Sequence, residues 1–245
     1  PITFTQTLLG ETLSLDLTSV AIAGGATAGE VGIGASVVIN IFDLTTKAYI
    51  GDGAQINQNA GIATEGSVSV WAINSTRIVS LAGSLGISAG AAGVGASLDL
   101  AIIDKKTEAY IGSNARVKSH GNIVVDADSD EDILSVVANA GVASSAGIAA
   151  SVSVYIIDTQ TSAVIGDNIS LAPTDIDAGG NITITADGTF STTMIAGAIG
   201  AASTAGIGAS NTTLIHTDTV KAYVGKYRRL NTEGALGLSV DAYSS

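Results

Sequence analysis

Four copies of one pattern occupy this chain and constrain its fold more than any single residue does. A Gly-x-x-Ala-Ser element is followed by an Ala-Tyr-Ile-Gly-like element, and the spacing from Gly32 to Gly51 is 19 residues in every copy, although the repeat period varies from 54 to 61 residues. A fixed inner spacing with a variable outer spacing indicates a rigid unit joined by tolerant loops, as in repeat and solenoid architectures. The paired elements lie at residues 32–36 and 48–51, 93–97 and 109–112, 147–151 and 163–166, and 206–210 and 222–225.

Within each repeat, bulky apolar residues alternate with small or polar ones, which is typical of β-strands. In the second copy, Val94, Leu98 and Ile102 fall on one parity and Gly95, Ser97 and Asp99 on the other. We expect the bulky parity to face the core, so that Leu98 and its third-copy equivalent, Val152, are inward. The charged residues 104–108 are expected to form a turn that reverses the chain. A length-variable loop follows each Ala-Tyr-Ile-Gly element, at residues 52–66, 113–121, 167–180 and 226–236.

These runs predict an all-β chain, and a parallel β-helix with two to three coils per repeat is favoured. Equivalent residues would then stack about 4.8 Å apart along the axis. The alternative is an elongated array of β-hairpins, each closed across a small-residue turn such as residues 88–92. Either way the chain is expected to be one elongated body, a fragment of a longer repetitive protein. Its repeat units would span approximately residues 12–75, 76–130, 131–190 and 191–245.

Composition narrows the classes of function. The net charge of −12, from 22 acidic and 10 basic residues, disfavours nucleic acid as a partner. A hydrophobic content of 46% with only 2 prolines argues against disorder, and the absence of cysteine excludes disulfides and thiolate metal sites. Residues 133–157 and 190–216 carry no Asp, Glu, Lys or Arg and are long enough for membrane-spanning helices. Their alternation with Ser, Gly and Thr favours strands instead, so we do not expect the chain to be embedded in a membrane.

Two groups of residues are candidate binding sites. Asp126, Asp128, Asp130 and Asp132 offer hard oxygen ligands at alternating positions, which favours Ca²⁺ in a structural role; a solvated loop between strands is the simpler interpretation. The second group, at equivalent positions of three repeats, is expected to form a ladder that either packs or stacks against a glycan. That group is Tyr49, Tyr110 and Tyr223.

No catalytic or cofactor-binding residue is predicted. The two histidines, His120 and His216, occupy different positions in the repeat, and no nucleophile elbow is present. Paired carboxylates for general acid–base chemistry cannot be located. The sequence therefore predicts a protein that is not an enzyme and needs no cofactor, with structural calcium as the one candidate ion.

The elements quoted above also resemble a known class of protein. Gly-Ile-Gly-Ala-Ser leading into Ala-Tyr-Ile-Gly-Asp-Gly-Ala, at residues 32–36 and 48–54, is similar to the repeats of giant bacterial exoproteins. These are leukotoxin-like and filamentous-haemagglutinin-like proteins, exported by two-partner secretion or as autotransporters. The resemblance covers all four repeats and departs from the pattern at Val164, where Tyr is expected, and at residues 226–229, where Asp-Gly-Ala is expected.

The resemblance implies a right-handed parallel β-helix in a secreted or surface-displayed adhesin, an outer-membrane secretion partner for the full-length protein, and no catalytic residues. The leading hypothesis is thus a structural stalk that extends a binding tip from a bacterial cell. A module that binds a glycan or a host-surface protein along its face or loops is the second hypothesis. A polysaccharide-active enzyme is the third.

Overall fold

The structure is a computed structural model that describes residues 2–7, 11–58, 66–166, 173–226 and 228–245. Within these ranges the chain forms three parallel β-sheets, here called sheets A, B and C. Sheet A contains β1 (Ile2–Thr7), β3 (Val31–Ile50), β6 (Ala92–Ile111), β9 (Ala146–Ile165) and β12 (Ala205–Val224). Sheet B contains β2 (Glu11–Thr27), β5 (Val68–Ser88), β8 (Ile123–Val142), β11 (Ile182–Ala201) and β14 (Leu238–Ser244). Sheet C contains β4 (Gln55–Ile56), β7 (Arg116–Ser119), β10 (Thr174–Ala178) and β13 (Arg228–Thr232).

Each sequence repeat builds one coil of a right-handed parallel β-helix, which confirms the predicted fold class. The chain runs along sheet B, turns, returns along sheet A, crosses sheet C and enters the next strand of sheet B. The repeats stack in register, so that Gly93 lies beside Gly32 on one side and Gly147 on the other. The expectation of two to three coils per repeat is therefore wrong. The hairpin alternative is wrong as well, because β5 and β6 belong to different sheets and each pairs in parallel with its own counterparts.

The long strands are continuous where the sequence predicted turns. Residues 104–108 lie inside β6 and do not reverse the chain, and the acidic residues 126–132 lie inside β8 and do not form a loop. Side chains continue to alternate through both segments, with Lys105, Thr107 and Glu131 buried. The charged residues do not end the strands because one parity still faces solvent and the inward Lys105 and Glu131 pair with each other across the core.

Among the described residues, the largest apolar cluster of the interior lies where all three sheets meet, a region here called the base. Its buried cluster is made of aliphatic side chains such as Ile111, Val117, Ile123 and Ile176. The strands of sheet C, which lie within the length-variable loops, close this region. The described parts of those loops therefore add a wall to the core; residues 59–65 and 167–172 lie outside the described residues.

Beyond the base, sheets A and B approach each other closely, in a region here called the blade. A Cβ atom placed on Gly86 would overlap the carbonyl oxygen of Val94 on the facing sheet. At this level the interior of the blade is therefore lined by small and polar side chains, such as Ser36, Ser97 and Asn139, whereas nearer the base it holds apolar ones such as Ile103 and Ile133. This close approach turns the bulky parity outward, and the prediction that Leu98 and Val152 face the core is wrong.

Two buried polar groups lie in the interior between sheets A and B. The Asp99 carboxylate is fully buried and accepts hydrogen bonds from the hydroxyls of Ser80 (2.7 Å), Ser135 (2.5 Å) and Tyr155 (3.0 Å). Three inward positions nearer the base, Lys105 pairs with Glu131 and donates to the carbonyl oxygen of Asn74 at 2.8 Å. Buried charges are tolerated when they are paired or fully hydrogen-bonded, as both groups are here.

Candidate binding surface

A row of outward side chains crosses sheet A at the edge of the base, one from each coil. Register places Tyr49 beside Tyr110, Tyr110 beside Val164 and Val164 beside Tyr223. The rings of Tyr49 and Tyr110 are stacked, with centroids 4.9 Å apart and planes 2° apart. The three tyrosines singled out from the sequence therefore share one row, in which Val164 separates Tyr223 from the stacked pair.

A cleft of about 270 Å³ lies at the interruption of this row. Tyr110 and Tyr223 line it from the two neighbouring coils, and Val164 lines it from the coil between them. Its polar lining includes Glu108, Ser162 and Asp52. The first two come from the adjacent outward row, in which Lys47, Glu108, Ser162 and Lys221 follow one another across the sheet.

Charges around this cleft are largely compensated. The Glu108 carboxylate contacts Lys47 at 2.6 Å and Lys106 at 3.6 Å. The Asp52 carboxylate accepts the backbone N–H of Ser113 at 2.7 Å. Partial burial raises the pKa of Tyr110, with Tyr49 and the neighbouring carboxylates adding to the effect and Lys47 opposing it. Tyr110 is therefore a neutral hydroxyl at physiological pH.

The candidate calcium ligands lie on a strand face. Asp126, Asp128, Asp130 and Asp132 all take the outward parity of β8, and Asp187 of the next coil lies in register with Asp128. Burial raises the pKa of Asp126 and of Asp128, and the repulsion between neighbouring aspartates raises both further. Among the described residues, no group of three or more His, Asp or Glu side chains is disposed to hold a metal ion. Calcium binding here stays a prediction.

The buried polar groups offer no reactive site. Burial and the nearby Asp99 carboxylate raise the pKa of the Tyr155 phenol, so it remains protonated. Both side chains are fully buried, and their hydrogen-bond partners are other interior groups. The histidines are also far apart in the repeat: His216 stacks on Phe190 with centroids 3.8 Å apart, whereas His120 is exposed after β7.

The two outer faces of the blade are apolar, which sequence reasoning missed. On sheet A, five successive outward positions are aliphatic in β3, β6 and β9, and Asn211 and Thr213 interrupt the same stretch in β12. On sheet B the equivalent stretch is aliphatic, Gly or Thr. Ile22 is 79% exposed and Ile33 is 64% exposed. Both faces end at a row of mainly charged residues on the side of the base: Asp43, Asp104, Asp158 and Thr217 on sheet A, and Asp16, Arg77, Asp132 and Ser191 on sheet B.

Comparisons of the chain with protein-family models, with curated proteins and with solved structures give no match in any of the three. Of the residues that the structure describes, none forms a helix of the length and apolarity needed to cross a membrane. The uncharged residues 133–157 instead contribute to β8 and β9. The structure therefore establishes a repeat β-helix.

Proposed function

We propose that this chain is a non-catalytic structural segment of a longer, adhesin-like exoprotein that is secreted or displayed on a bacterial surface. The observation that carries the proposal is that the four sequence repeats form four coils stacked in register. The residues that recur in every copy, such as Gly93 and Ala109, lie inward at equivalent places. The repeated pattern is thus explained by stacking, and it needs no catalytic role.

The dimensions of a coil refine the stalk hypothesis. A repeat of 54–61 residues adds only one coil, which is about 4.8 Å of length. The same repeat contains two long strands, and a strand such as β6, with 20 residues, extends about 66 Å. Each repeat therefore lengthens the segment along its axis only slightly but adds a large area to its outer faces. Its role is to build broad, rigid faces that carry binding elements, more than to act as a thin spacer.

The resemblance to leukotoxin-like and filamentous-haemagglutinin-like exoproteins supports the location and the export route. The fold agrees with what that resemblance implies, and a chain of stacked coils without cysteine does not depend on disulfide formation. In this proposal an outer-membrane secretion partner exports the full-length protein.

Antibodies raised against residues 1–245 test this proposal on cells of the source bacterium. We expect them to label intact cells or the culture medium, and the purified chain to release no sugar from polymeric polysaccharides. Labelling that requires permeabilised cells would contradict surface display. Release of oligosaccharides by the purified chain, abolished by heat, would contradict the structural role and favour an enzyme.

A further inference from the structure

The tyrosine row on sheet A is interrupted in the third coil. Where two tyrosines are adjacent, at Tyr49 and Tyr110, their rings stack at 4.9 Å and leave no space between them. In the third coil the same position is Val164, whose side chain is too short to extend between the rings on either side. The tyrosine row therefore contains one gap of about the size of an aromatic ring, above Val164. This gap coincides with the cleft of about 270 Å³.

We infer that this gap binds one hexopyranose ring of a glycan, held over Val164 between the ring faces of Tyr110 and Tyr223. This function goes beyond the structural role proposed above and does not depend on it. The sugar takes the place that a fourth tyrosine would occupy in the row. Its two faces, which carry C–H groups, contact the aromatic rings, and its hydroxyl rim points to the polar row alongside.

The spacing of the two tyrosines fits a single ring. Tyr110 and Tyr223 are separated by two strand spacings, about 9.6 Å, so a ring midway between them lies about 4.8 Å from each. That separation is within the range found for stacked rings. The cleft volume of about 270 Å³ is below the range typical of pockets for drug-sized ligands, which favours one sugar unit over an extended ligand in the gap itself.

The polar lining favours a ligand rich in hydroxyl groups. Glu108 and Asp52 present carboxylate oxygens that accept hydrogen bonds, and Ser162 presents a hydroxyl that both donates and accepts. A plain aromatic ring would cover these groups without bonding to them, which is costly. A pyranose covers the tyrosine faces and bonds to the acceptors with the same ring.

The local charge disfavours an organic cation, the other ligand class that aromatic faces attract. Glu108 already contacts Lys47 at 2.6 Å and Lys106 at 3.6 Å, so its charge is compensated. Lys221 follows Ser162 in the same row and adds a positive charge on the far side of the gap. The surroundings therefore suit a neutral ring.

The test uses the folded chain and methyl β-glycosides of glucose, galactose and N-acetylglucosamine as probes, with saturation-transfer NMR as the readout. Val164→Tyr fills the gap with a fourth ring and should weaken binding at least tenfold while the melting temperature is kept or raised. Tyr243→Ser is the control, because it removes an exposed tyrosine of sheet B that does not line the gap; its binding should be unchanged. Tyr223→Ser removes one wall of the gap in the outermost described coil of sheet A, and it serves as the second variant if Val164→Tyr does not fold.

Binding of at least one glycoside by the wild-type chain, with loss in Val164→Tyr or Tyr223→Ser and retention in Tyr243→Ser, is the result expected. The inference is overturned if no glycoside binds, or if the variants that fill or open the gap bind as well as the wild type. Indole and tetramethylammonium are included as competing probes, and binding of these alone also overturns it. None of these results bears on surface labelling of cells, so failure of this inference is distinguishable from failure of the structural role.

Discussion

Adjacent residues on one strand have opposite environments in this protein, and Ile102 and Ile103 show the contrast most directly. Ile102 is 38% exposed on the outer face of β6, whereas Ile103 is 2% exposed in the interior. The sequence alone did not reveal which parity was inward, because bulky aliphatic residues occur on both. Hydrophobicity favoured the parity of Leu98, but the close approach of the two sheets excludes bulky side chains from most of the blade interior.

The same substitution at these two positions tests the assignment. Ile103→Asp buries an unpaired carboxylate among apolar side chains and should cost more than about 4 kcal/mol of unfolding free energy. Ile102→Asp places the carboxylate in solvent and should cost less than about 1 kcal/mol. Urea unfolding followed by circular dichroism measures both. Equal losses, or a larger loss for Ile102→Asp, would mean that the parity is inverted.

The buried Lys105–Glu131 pair should behave as a unit. Burial lowers the pKa of Lys105 while Glu131 opposes that effect, so removing either partner leaves a buried charge without compensation. We expect Lys105→Met and Glu131→Gln each to cost about 3–5 kcal/mol, and the double variant to cost much less than their sum. A double-mutant cycle by urea unfolding gives the coupling. Additive losses would show that the two side chains do not interact.

At the scale of the element, the alternation of residues correctly predicted strands, but not their length. A run such as residues 104–108 has the composition of a turn, and the acidic residues 126–132 have the composition of a loop. Both continue as strand because the two segments face each other across the core, where Lys105 pairs with Glu131. That pairing is a property of two distant segments and is not visible in either one. The interruption at Val164 was visible in the sequence; its polar neighbours Glu108 and Ser162 could be recognised only from the register.

Because β8 runs through the acidic segment, Asp128 lies directly beside Asp187 of the next coil. Burial, and then repulsion from Asp187, raises the folded-state pKa of Asp128 above its ordinary value of 3.8. Between that value and the raised pKa, the folded state binds more protons than the unfolded state, so stability is gained as pH falls through this window and lost as pH rises. Asp128→Asn should therefore raise the melting temperature at neutral pH and reduce the gain on acidification to about pH 4.

Thr189→Ser, which lies beside Asp130 on the same face and changes no titratable group, is the control for this prediction and should leave the pH dependence close to that of the wild type. Thermal unfolding of the three proteins across this pH range decides the question. A melting temperature for Asp128→Asn that falls at neutral pH would show that the carboxylate makes a stabilising contact, as a bound cation would require, and would favour the calcium hypothesis.

At the scale of the whole molecule, the repeats predicted a solenoid but not its flattened cross-section. The outer face of sheet A, four strands wide and five outward rows long, is apolar except at Asn211 and Thr213 and measures about 19 by 33 Å, or about 600 Å². An exposed apolar patch of this size marks an interaction surface. Two such faces in contact would bury about 1,200 Å² in total, which reaches the lower limit of stable protein interfaces.

We therefore expect the chain to self-associate through this face as its concentration rises. Leu98→Lys combined with Val152→Lys places charges at the centre of the face and should shift sedimentation equilibrium toward the monomer without lowering the melting temperature by more than a few degrees. Ser75→Lys, outside the apolar stretch on sheet B, is the control. A wild-type chain that stays monomeric at high concentration would contradict this prediction.

The central claim is that one sequence repeat forms one coil, and distances between equivalent residues test it most directly. The chain has no cysteine, so Asp104→Cys and Asp158→Cys can be spin-labelled together without interference. These exposed positions lie in register on neighbouring strands, about 4.8 Å apart at the backbone. We expect strong dipolar broadening in the electron paramagnetic resonance spectrum of the doubly labelled chain, relative to the two single variants. A spectrum equal to the sum of the single variants would contradict the account, because it would place the two repeats at least one further coil apart.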